Sequence, residues 1–106
     1  MIATFQPSRL NGTIDAPPSK SMAHRLLICA ALSEGVSHIR GISLNEDICA
    51  TLDCLRALGA ECTLQEDTAT VKGVNIFTVR SAGELCCRES GSTLRFFIPL
   101  CMLFGK

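Results

Sequence analysis

The sequence lacks an excess of charge of either sign, because ten lysines and arginines balance ten aspartates and glutamates among its 106 residues. Surfaces that bind nucleic acids or anionic membranes need a basic excess. Both kinds of partner are therefore excluded, and any anion site has to be local. The composition, 47% hydrophobic and 19% charged, is that of a globular chain. The length fits one small domain or a piece of a larger protein.

The sequence also lacks a C-x-x-C pair, although it contains seven cysteines. Because such a pair is missing and the count is odd, neither a zinc knuckle nor a thioredoxin-type motif is supported. A free thiol within an apolar helical pattern behaves as a small hydrophobic side chain. Four cysteines lie in such patterns: Cys29, Cys49, Cys54 and Cys101. We predict reduced thiols in a cytosolic protein.

No hydrophobic run is long enough to cross a bilayer. The longest, "FFIPLCMLF" at 96–104, is too short and contains Pro99. The start, "MIATFQPSRL", has no basic segment followed by an apolar stretch and so does not predict a signal peptide. These absences predict a soluble, cytoplasmic protein. Complete domains usually end in polar residues. Since this chain stops two residues after its most hydrophobic segment, the sequence indicates a truncation.

The first half of the chain predicts strand, helix, strand and helix. A short strand is expected around Ile14 after an Asn-Gly turn signal. Pro17 and Pro18 delay a helix over 21–33, which Ser19 or Ser21 can cap and Gly35 stops. This helix is apolar on nearly every face after Arg25, so we expect it to be buried all round. A strand over 36–42 follows.

The next helix, over 43–60, is amphipathic and ends at Gly59. Its first turn carries Asn45, Glu46 and Asp47, which supply caps and negative charge for the helix start. Its apolar stripe consists of Ile48, Leu52, Leu55 and Leu58.

The remainder predicts a hairpin over 61–73 that turns at Glu66 and Asp67, and a strand over 75–81. A loop through Cys86 and Cys87 and a third helix over 89–104 follow. The fold class is therefore α/β (α+β), with mixed strand pairing.

The first and third helices begin alike. The first opens Ser19-Lys20-Ser21 with Arg25 about one turn in, and the third opens Ser90-Gly91-Ser92-Thr93 with Arg95 in the same place. A helix start presents unpaired N–H donors and partial positive charge, which suit phosphate or carboxylate. The lysine adds a point charge, the arginine adds a planar fork for two oxygens, and the glycine lets a ligand approach the backbone. The two starts together favour anion binding.

Ordinary capping is the alternative for each start, because serine before a helix is common and an arginine beside an apolar helix can extend to solvent or pair with a carboxylate. His24 could donate to a ligand, although a histidine at a helix start is more often a surface residue. His38 shows no partner in the sequence. Asp47 or Glu46 could orient Lys20. The Cys86-Cys87 pair indicates packing, because no activating base is evident nearby.

Three segments of the chain resemble the enolpyruvylshikimate phosphate synthase family. "PSKSMAHRLLICAAL" is similar to the family signature GSKS-x-x-x-R-x-L-x-x-AAL, and "ESGSTLRF" to the second signature, usually Asn-x-Gly-Thr-x-x-Arg. "NEDICATLDCLRALGA" looks like the intervening helix. The resemblance keeps the order and spacing of the motifs over nearly the whole chain.

The resemblance implies an enzyme that transfers the enolpyruvyl group of phosphoenolpyruvate to the 5-hydroxyl of shikimate 3-phosphate and releases phosphate. This reaction belongs to the shikimate pathway of aromatic amino acid biosynthesis. The family works by addition and elimination through a tetrahedral intermediate, without a metal or organic cofactor. Its two domains are each built from three β-α-β-α-β-β units with the helices inside, an inside-out α/β barrel. Inward helices would explain a first helix that is apolar all round.

The resemblance also assigns residues. Lys20 matches a lysine that contacts both substrates, Ser21 and Arg25 match residues that hold shikimate 3-phosphate, and Gly91 matches a glycine against the phosphoenolpyruvate site. Glu89 and Ser92 depart from the usual asparagine and threonine, as His24 does from a common asparagine, and a carboxylate beside an anion site needs a basic partner. The weaker candidates for substrate binding are Asp47, Glu89, Ser92 and Arg95.

Complete members of the family are several times longer than this chain. The resemblance therefore divides it into 1–17, which crosses to the second domain, 18–88, the first folding unit, and 89–106, the opening helix of the next. The acid and base residues are expected beyond Lys106, so we predict that the fragment is inactive alone and self-associates.

Two other functions stay open. UDP-N-acetylglucosamine enolpyruvyl transferases share the fold but have Lys-Asn where this chain has Lys20-Ser21. A non-catalytic anion-binding module is the other alternative.

Overall fold

Three helices and three strands make up the described part of the computed structural model, which covers residues 1–75, 77–78 and 83–104. The mixed helix and strand content confirms the predicted fold class. In chain order the elements are α1 (Lys20–Ala31), β1 (Gly35–Ile39), α2 (Glu46–Ala57), β2 (Glu61–Gln65), β3 (Thr68–Gly73) and α3 (Gly91–Phe104).

The strands form one sheet in the order β1-β3-β2, and both neighbouring pairs are antiparallel. The predicted hairpin is confirmed, with Gln65 opposite Thr68 and a positive φ of 53° at Glu66 in its turn. The prediction of mixed pairing is wrong for the described strands. The α2 crossover makes β1 and β2 run in the same direction, but β3 lies between them and runs opposite to both.

The first 19 residues contain no helix or strand and are exposed. The prediction of a strand around Ile14 is therefore wrong, and the side chain of Ile14 is 91% exposed. An extended segment becomes a strand only when another strand satisfies its backbone N–H and C=O groups. No strand of the described chain pairs with this segment.

The strand predicted over 75–81 is also absent from the residues of this segment that the structure describes. Asn75 accepts a hydrogen bond from the backbone N–H of Phe77 (3.1 Å), and the N–H of Thr78 donates to the Asn75 carbonyl (3.0 Å). An asparagine side chain that bonds its own backbone two residues on is typical of a turn. Ile76 and residues 79–81 lie outside the described residues. The loop predicted through Cys86 and Cys87 is confirmed.

The core lies where α1, α2 and the sheet meet, and α3 adds one fully buried side chain and two partly buried ones. The predicted apolar stripe of α2 is confirmed, because all four of its side chains are buried. Leu27 of α1, Val71 of β3 and Phe97 of α3 pack in the same cluster and are at most 1% exposed. All three helices therefore contribute to one core.

Helix α1 is not buried all round, contrary to the prediction. Met22 and Leu26 are 54% and 45% exposed, and Cys29 is exposed on the same stripe. The sheet, α2 and α3 cover the other faces. On α3, Ile98 and Met102 are likewise 50% and 79% exposed, so part of "FFIPLCMLF" faces solvent. Both helices thus carry an apolar stripe that no described element covers.

All seven cysteines are free in the structure. Cys54 is buried as predicted, and its thiol lies 3.5 Å from the Cys86 carbonyl oxygen and 3.9 Å from the Cys87 sulfur. Burial, with the neighbouring Cys87 thiol, raises the pKa of Cys54 to about 12. A thiol held protonated in this way is poorly nucleophilic, so the group contributes packing. Cys29, in contrast, is exposed and does not pack as a small hydrophobic residue.

Candidate anion-binding site

The start of α1 combines a capped end with donors that the helix does not use. Ser19 is the N-cap, with φ −75° and ψ 108°, and its hydroxyl accepts from the N–H of Met22 at 3.3 Å. Of the two predicted caps it is therefore Ser19 that acts, and Ser21 lies inside the helix. The first intrahelical bond runs from the Ala23 N–H to the Ser19 carbonyl (3.0 Å). The N–H groups of Lys20 and Ser21 precede it and need partners from outside the helix.

Lys20 is oriented by a carboxylate of α2, as predicted. Its ammonium lies 3.3 Å from Asp47 Oδ2, and the two side chains are 60% and 38% exposed. An ion pair this exposed contributes about 0–1 kcal/mol to stability. Its main consequence is geometric, since it holds the lysine at the junction between the starts of α1 and α2.

Arg25 is oriented without being neutralised. Its guanidinium donates to the Ser21 carbonyl oxygen at 2.9 Å, also contacts the Ser21 hydroxyl, and lies 5.1 Å from the centroid of the Phe96 ring. Among the described residues no carboxylate forms an ion pair with Arg25. The guanidinium is therefore fixed between α1 and α3, and the charge on it remains available to an anion.

The start of α3 has a similar arrangement. The Ser90 hydroxyl accepts from the N–H of Thr93 at 3.2 Å, and the Ser90 carbonyl accepts from the N–H of Leu94 at 3.1 Å. Gly91 and Ser92 precede these bonds and are exposed. A Cβ built on Gly91 would meet no atom within 4 Å, so packing does not require glycine there. Arg95 is exposed on the first turn of α3.

A buried chain of polar side chains links the three helix starts. His24 Nδ1 lies 2.8 Å from Thr51 Oγ1, which lies 2.8 Å from Thr93 Oγ1, which lies 2.7 Å from Ser90 Oγ. The four residues are at most 5% exposed. The prediction that His24 is a surface residue is therefore wrong, because its position on α1 faces Thr51 of α2. From the sequence, Thr93 is expected only as part of the hydroxyl-rich start of the third helix, and Thr51 is not identified.

Two signals for this chain are nevertheless present in the sequence. Thr51 lies three residues after Ile48 and four before Leu55, on the apolar face of α2. A hydroxyl on such a face needs a buried partner. Thr93 lies three residues after Ser90, in the position that an N-cap serine contacts.

The environment of His24 keeps its imidazole neutral. Desolvation by burial has the largest effect and lowers its pKa below 6.5, and the charges of Lys20 and Arg25 lower it further. Asp47 opposes this by raising it. A neutral imidazole can either donate or accept at Nδ1, so the neighbouring hydroxyl groups decide which nitrogen carries the proton.

Beside the start of α3 lies an acidic cavity of about 170 Å³, lined by Glu46, Asp47, Arg88, Glu89 and Ser90. Arg88 donates to Glu46 Oε2 (2.7 Å) and Asp53 Oδ2 (2.6 Å), and these bonds raise its pKa. Arg88 thus already has two carboxylate partners. In the described chain Glu89 forms no ion pair with it or with any other basic side chain. Exposure to water, and not a basic partner, accommodates the Glu89 carboxylate. The cavity itself is unsuited to an anion.

His38 has a partner that the sequence did not reveal. Its Nδ1 lies 3.0 Å from Thr70 Oγ1 across the β1–β3 pair, an exposed contact on the sheet and not part of the helix starts. Within residues 1–75, 77–78 and 83–104, no group of three or more histidine, cysteine, aspartate or glutamate side chains could hold a metal ion. No helix in these ranges is long and apolar enough to cross a membrane.

Comparison with known proteins identifies the family. Residues 5–106 match the model of the family described as EPSP synthase (3-phosphoshikimate 1-carboxyvinyltransferase). The chain belongs to the EPSP synthase family. The match includes both helix starts, α2 and the whole sheet, so every residue of the candidate site lies within it.

Among curated EPSP synthase relatives, the 3-phosphoshikimate 1-carboxyvinyltransferase of Clostridium beijerinckii is 45% identical over 104 residues, which cover 92% of this chain and 24% of that protein. The one from Clostridium botulinum is 45% identical over 109 residues, which cover 97% of this chain and 25% of that protein. The chain thus spans about a quarter of the length of these relatives.

Solved structures agree with the sequence comparison. A structure of EPSP synthase from Acinetobacter baumannii superimposes with a TM-score of 0.71 at 30% identity, over 81% of this chain and 20% of the other. The fold described above is therefore the fold of one part of an EPSP synthase.

Proposed function

We propose that the chain supplies one wall of the substrate cleft of a 3-phosphoshikimate 1-carboxyvinyltransferase. The complete enzyme transfers the enolpyruvyl group of phosphoenolpyruvate to the 5-hydroxyl of shikimate 3-phosphate and releases phosphate. The observation that carries this proposal is Arg25, a guanidinium oriented by Ser21 and Phe96 but paired with no described carboxylate. A cation held in place beside unused helix N–H groups is suited to a phosphorylated substrate.

The family resemblance assigns the roles of the two helix starts, and their chemistry is compatible with these roles. Lys20, Ser21 and Arg25 at the start of α1 bind shikimate 3-phosphate, and Lys20 also reaches phosphoenolpyruvate. Gly91 lets phosphoenolpyruvate approach the start of α3, which its open surroundings support. Asp47 orients Lys20, with which it is paired at 3.3 Å.

The remaining candidates have smaller roles. Ser92 and Arg95 are exposed on the first turn of α3, where they add donors near the phosphoenolpyruvate side. Glu89 faces the acidic cavity with Glu46 and Asp47, and limits how far an anion extends from Gly91 in that direction.

In this proposal the substrate cleft and the catalytic groups of the enzyme are shared between this chain and the remaining three quarters of the enzyme. Residues 1–17 reach the second domain, 18–88 form the first folding unit and 89–106 open the next. The catalytic acid and base lie outside this quarter of the enzyme. The proposed setting is the cytoplasm, which suits a phosphorylated metabolite and free thiols.

A chimera tests the function. Residues 1–106 replace the matching quarter of the Clostridium beijerinckii relative, and phosphate release is measured with both substrates. We expect turnover that is lost when Lys20 is changed to methionine, which keeps most of the side-chain length but removes its charge. A chimera that melts cooperatively but releases no phosphate would contradict the proposal.

Direct binding gives an independent test that needs no chimera. Shikimate 3-phosphate is titrated into the isotope-labelled chain, and amide signals are followed by NMR. We expect the largest shifts at Lys20, Ser21 and Arg25. Binding in this experiment without turnover in a folded chimera would support a non-catalytic anion-binding module instead.

A further inference from the structure

One carbonyl acceptor beside the buried hydrogen bonds between the helices favours one direction for them. The Thr93 hydroxyl lies 3.4 Å from the Asp47 carbonyl oxygen, which can only accept, whereas either oxygen could donate in its shorter contacts with Thr51 and Ser90. When Thr93 donates to this carbonyl, its Oγ1 accepts from both neighbouring hydroxyls, those of Thr51 and Ser90. With the proton of Thr51 directed to Thr93, Thr51 Oγ1 accepts from His24, whose proton is therefore on Nδ1.

We propose that His24 and Thr51 are positioning residues that hold the start of α3 against the starts of α1 and α2 through this directed chain. His24 belongs to α1, Thr51 and the Asp47 carbonyl to α2, and Thr93 to α3. The series of hydrogen bonds ends at Ser90, whose hydroxyl also accepts a hydrogen bond from the Thr93 N–H. The inference rests on the proposed function in one respect, because that function identifies what is positioned as two anions at two helix starts.

The arrangement differs from ordinary packing in its geometry. An apolar contact between the helices is non-directional and tolerates small shifts. Hydrogen bonds of 2.7–2.8 Å between buried polar side chains allow little displacement, and each lost partner leaves a buried polar group unsatisfied. A site for two substrates needs its binding groups held to within about 0.5 Å. The directed chain meets this need at the point where the helices converge.

The tautomer of His24 in the unaltered chain provides the first test. Imidazole ¹⁵N signals of the 106-residue chain at neutral pH distinguish a proton on Nδ1 from a proton on Nε2. We expect His24 to be neutral with its proton on Nδ1. A proton on Nε2, or on both nitrogens, would overturn the proposed direction, and a histidine that merely fills space has no reason to select Nδ1.

Substitution of Thr51 provides the second test. Thr51→Val keeps the shape but removes the hydroxyl, so the His24 proton should move to Nε2. Exchange of the Thr93 and Leu94 amide protons should become about three to tenfold faster, the equivalent of one lost hydrogen bond. Thr51→Ser keeps the hydroxyl and should restore both properties.

The matched control is Thr70→Val, which removes the hydroxyl that contacts His38 on the sheet. It should change neither the His24 tautomer nor the exchange at α3. Equal exchange rates in Thr51→Val and the unaltered chain, or equal effects of Thr51→Val and Thr51→Ser, would overturn the proposal. If Thr51→Val does not fold, the His24 tautomer in the unaltered chain and in Thr51→Ser decides whether the proposal holds. No ligand is involved, so the outcome is independent of the test of the proposed function.

Discussion

Ser19 and Ser21 show how adjacent hydroxyls at one helix start take different roles. Ser19 caps α1 through the Met22 N–H, whereas Ser21 contacts the Arg25 guanidinium one turn later. Capping contributes to the stability of the fold, and the orientation of Arg25 contributes to the site. The structure confirms the capping interpretation for Ser19, and ligand binding by Ser21 and Arg25 stays a prediction.

Arg25→Ala separates the two roles. In the chimera, we expect shikimate 3-phosphate to bind about tenfold to a hundredfold more weakly, because a charge-assisted hydrogen bond of about 1.5–3 kcal/mol is lost. The melting temperature should change little, since the exposed contact with Phe96 contributes about 0.5–1 kcal/mol. Calorimetric titration and a melting curve measure the two quantities.

Ser19→Ala is the control for this experiment. It should lower the free energy of unfolding by about 1 kcal/mol through the lost cap and leave the affinity unchanged. An affinity that is the same in Arg25→Ala as in the unaltered chimera would falsify the anion-site interpretation.

His24 gives the chain an acid-sensitive stability. Its pKa is lowered in the folded state by burial, from an ordinary value of 6.5, so the unfolded chain binds a proton that the folded chain excludes. The free energy of unfolding should therefore fall as the pH drops through 6.5, by at most about 1.4 kcal/mol per pH unit, and should be recovered above it. Urea denaturation between pH 5 and pH 8, roughly the range in which histidine titrates, measures this.

Two variants distinguish His24 from the other titrating groups. His24→Asn should remove this part of the pH dependence, whereas His38→Asn, on the exposed face of β1, should retain it. A slope that persists unchanged in His24→Asn would show that another group causes it.

At the scale of the element, the sequence correctly predicted the features of a helix or hairpin that depend on interactions between nearby residues. The Asn45 cap of α2, its buried stripe and the hairpin turn at Glu66 depend on residues within a few positions, and all were predicted correctly. The segment around Ile14 carries a similar strand signal, but a strand also requires a partner, and none in the described chain pairs with it. Pairing between β1 and β3 is likewise a tertiary property, which explains the wrong prediction of mixed pairing.

Two glycines at element ends predict opposite effects of an added methyl group. A Cβ at Gly73, the last residue of β3, would lie 1.8 Å from the Ser33 carbonyl oxygen and 2.5 Å from that of Ala30. Because both atoms belong to the backbone, β3 would have to move away from α1. Gly73→Ala should lower the free energy of unfolding by about 1–3 kcal/mol, as measured by urea denaturation.

Gly91→Ala is the matched comparison, since its added Cβ meets nothing within 4 Å. Stability should be unchanged or slightly higher, because alanine favours a helix more than glycine by about 1 kcal/mol. In the chimera the same variant should raise the KM for phosphoenolpyruvate. Equal destabilisation by the two variants would contradict the packing described for Gly73.

At the scale of the whole molecule, the position of Lys20 and Arg25 could be predicted from the sequence, but the link between the helix starts could not. Charged residues beside an apolar helix are a visible local signal. Thr51 and Thr93 come together only because α2 and α3 pack on a shared core, and no local pattern gives that packing. The burial of His24 has the same tertiary origin.

The uncovered apolar stripes of α1 and α3 predict self-association of the 106-residue chain. Leu26, Ile98 and Met102 are between 45% and 79% exposed, and exposed apolar surface favours contacts between molecules. Sedimentation velocity should show oligomers that increase with concentration. Met102→Lys, at the most exposed of these positions, should reduce them. A strictly monomeric chain at high concentration that binds no apolar dye would contradict this prediction.

The position of β3 between β1 and β2 constrains the order of folding. The hairpin closes over two turn residues, whereas β1 pairs with residues thirty or more positions away, as His38 does with Thr70. Closing the longer loop costs more chain entropy, and β1 has no edge to join until β3 is in place. Cooperative assembly of the sheet should therefore begin at Glu61–Gly73 and end at β1. Destabilising substitutions in β1 should accelerate unfolding more than they slow refolding.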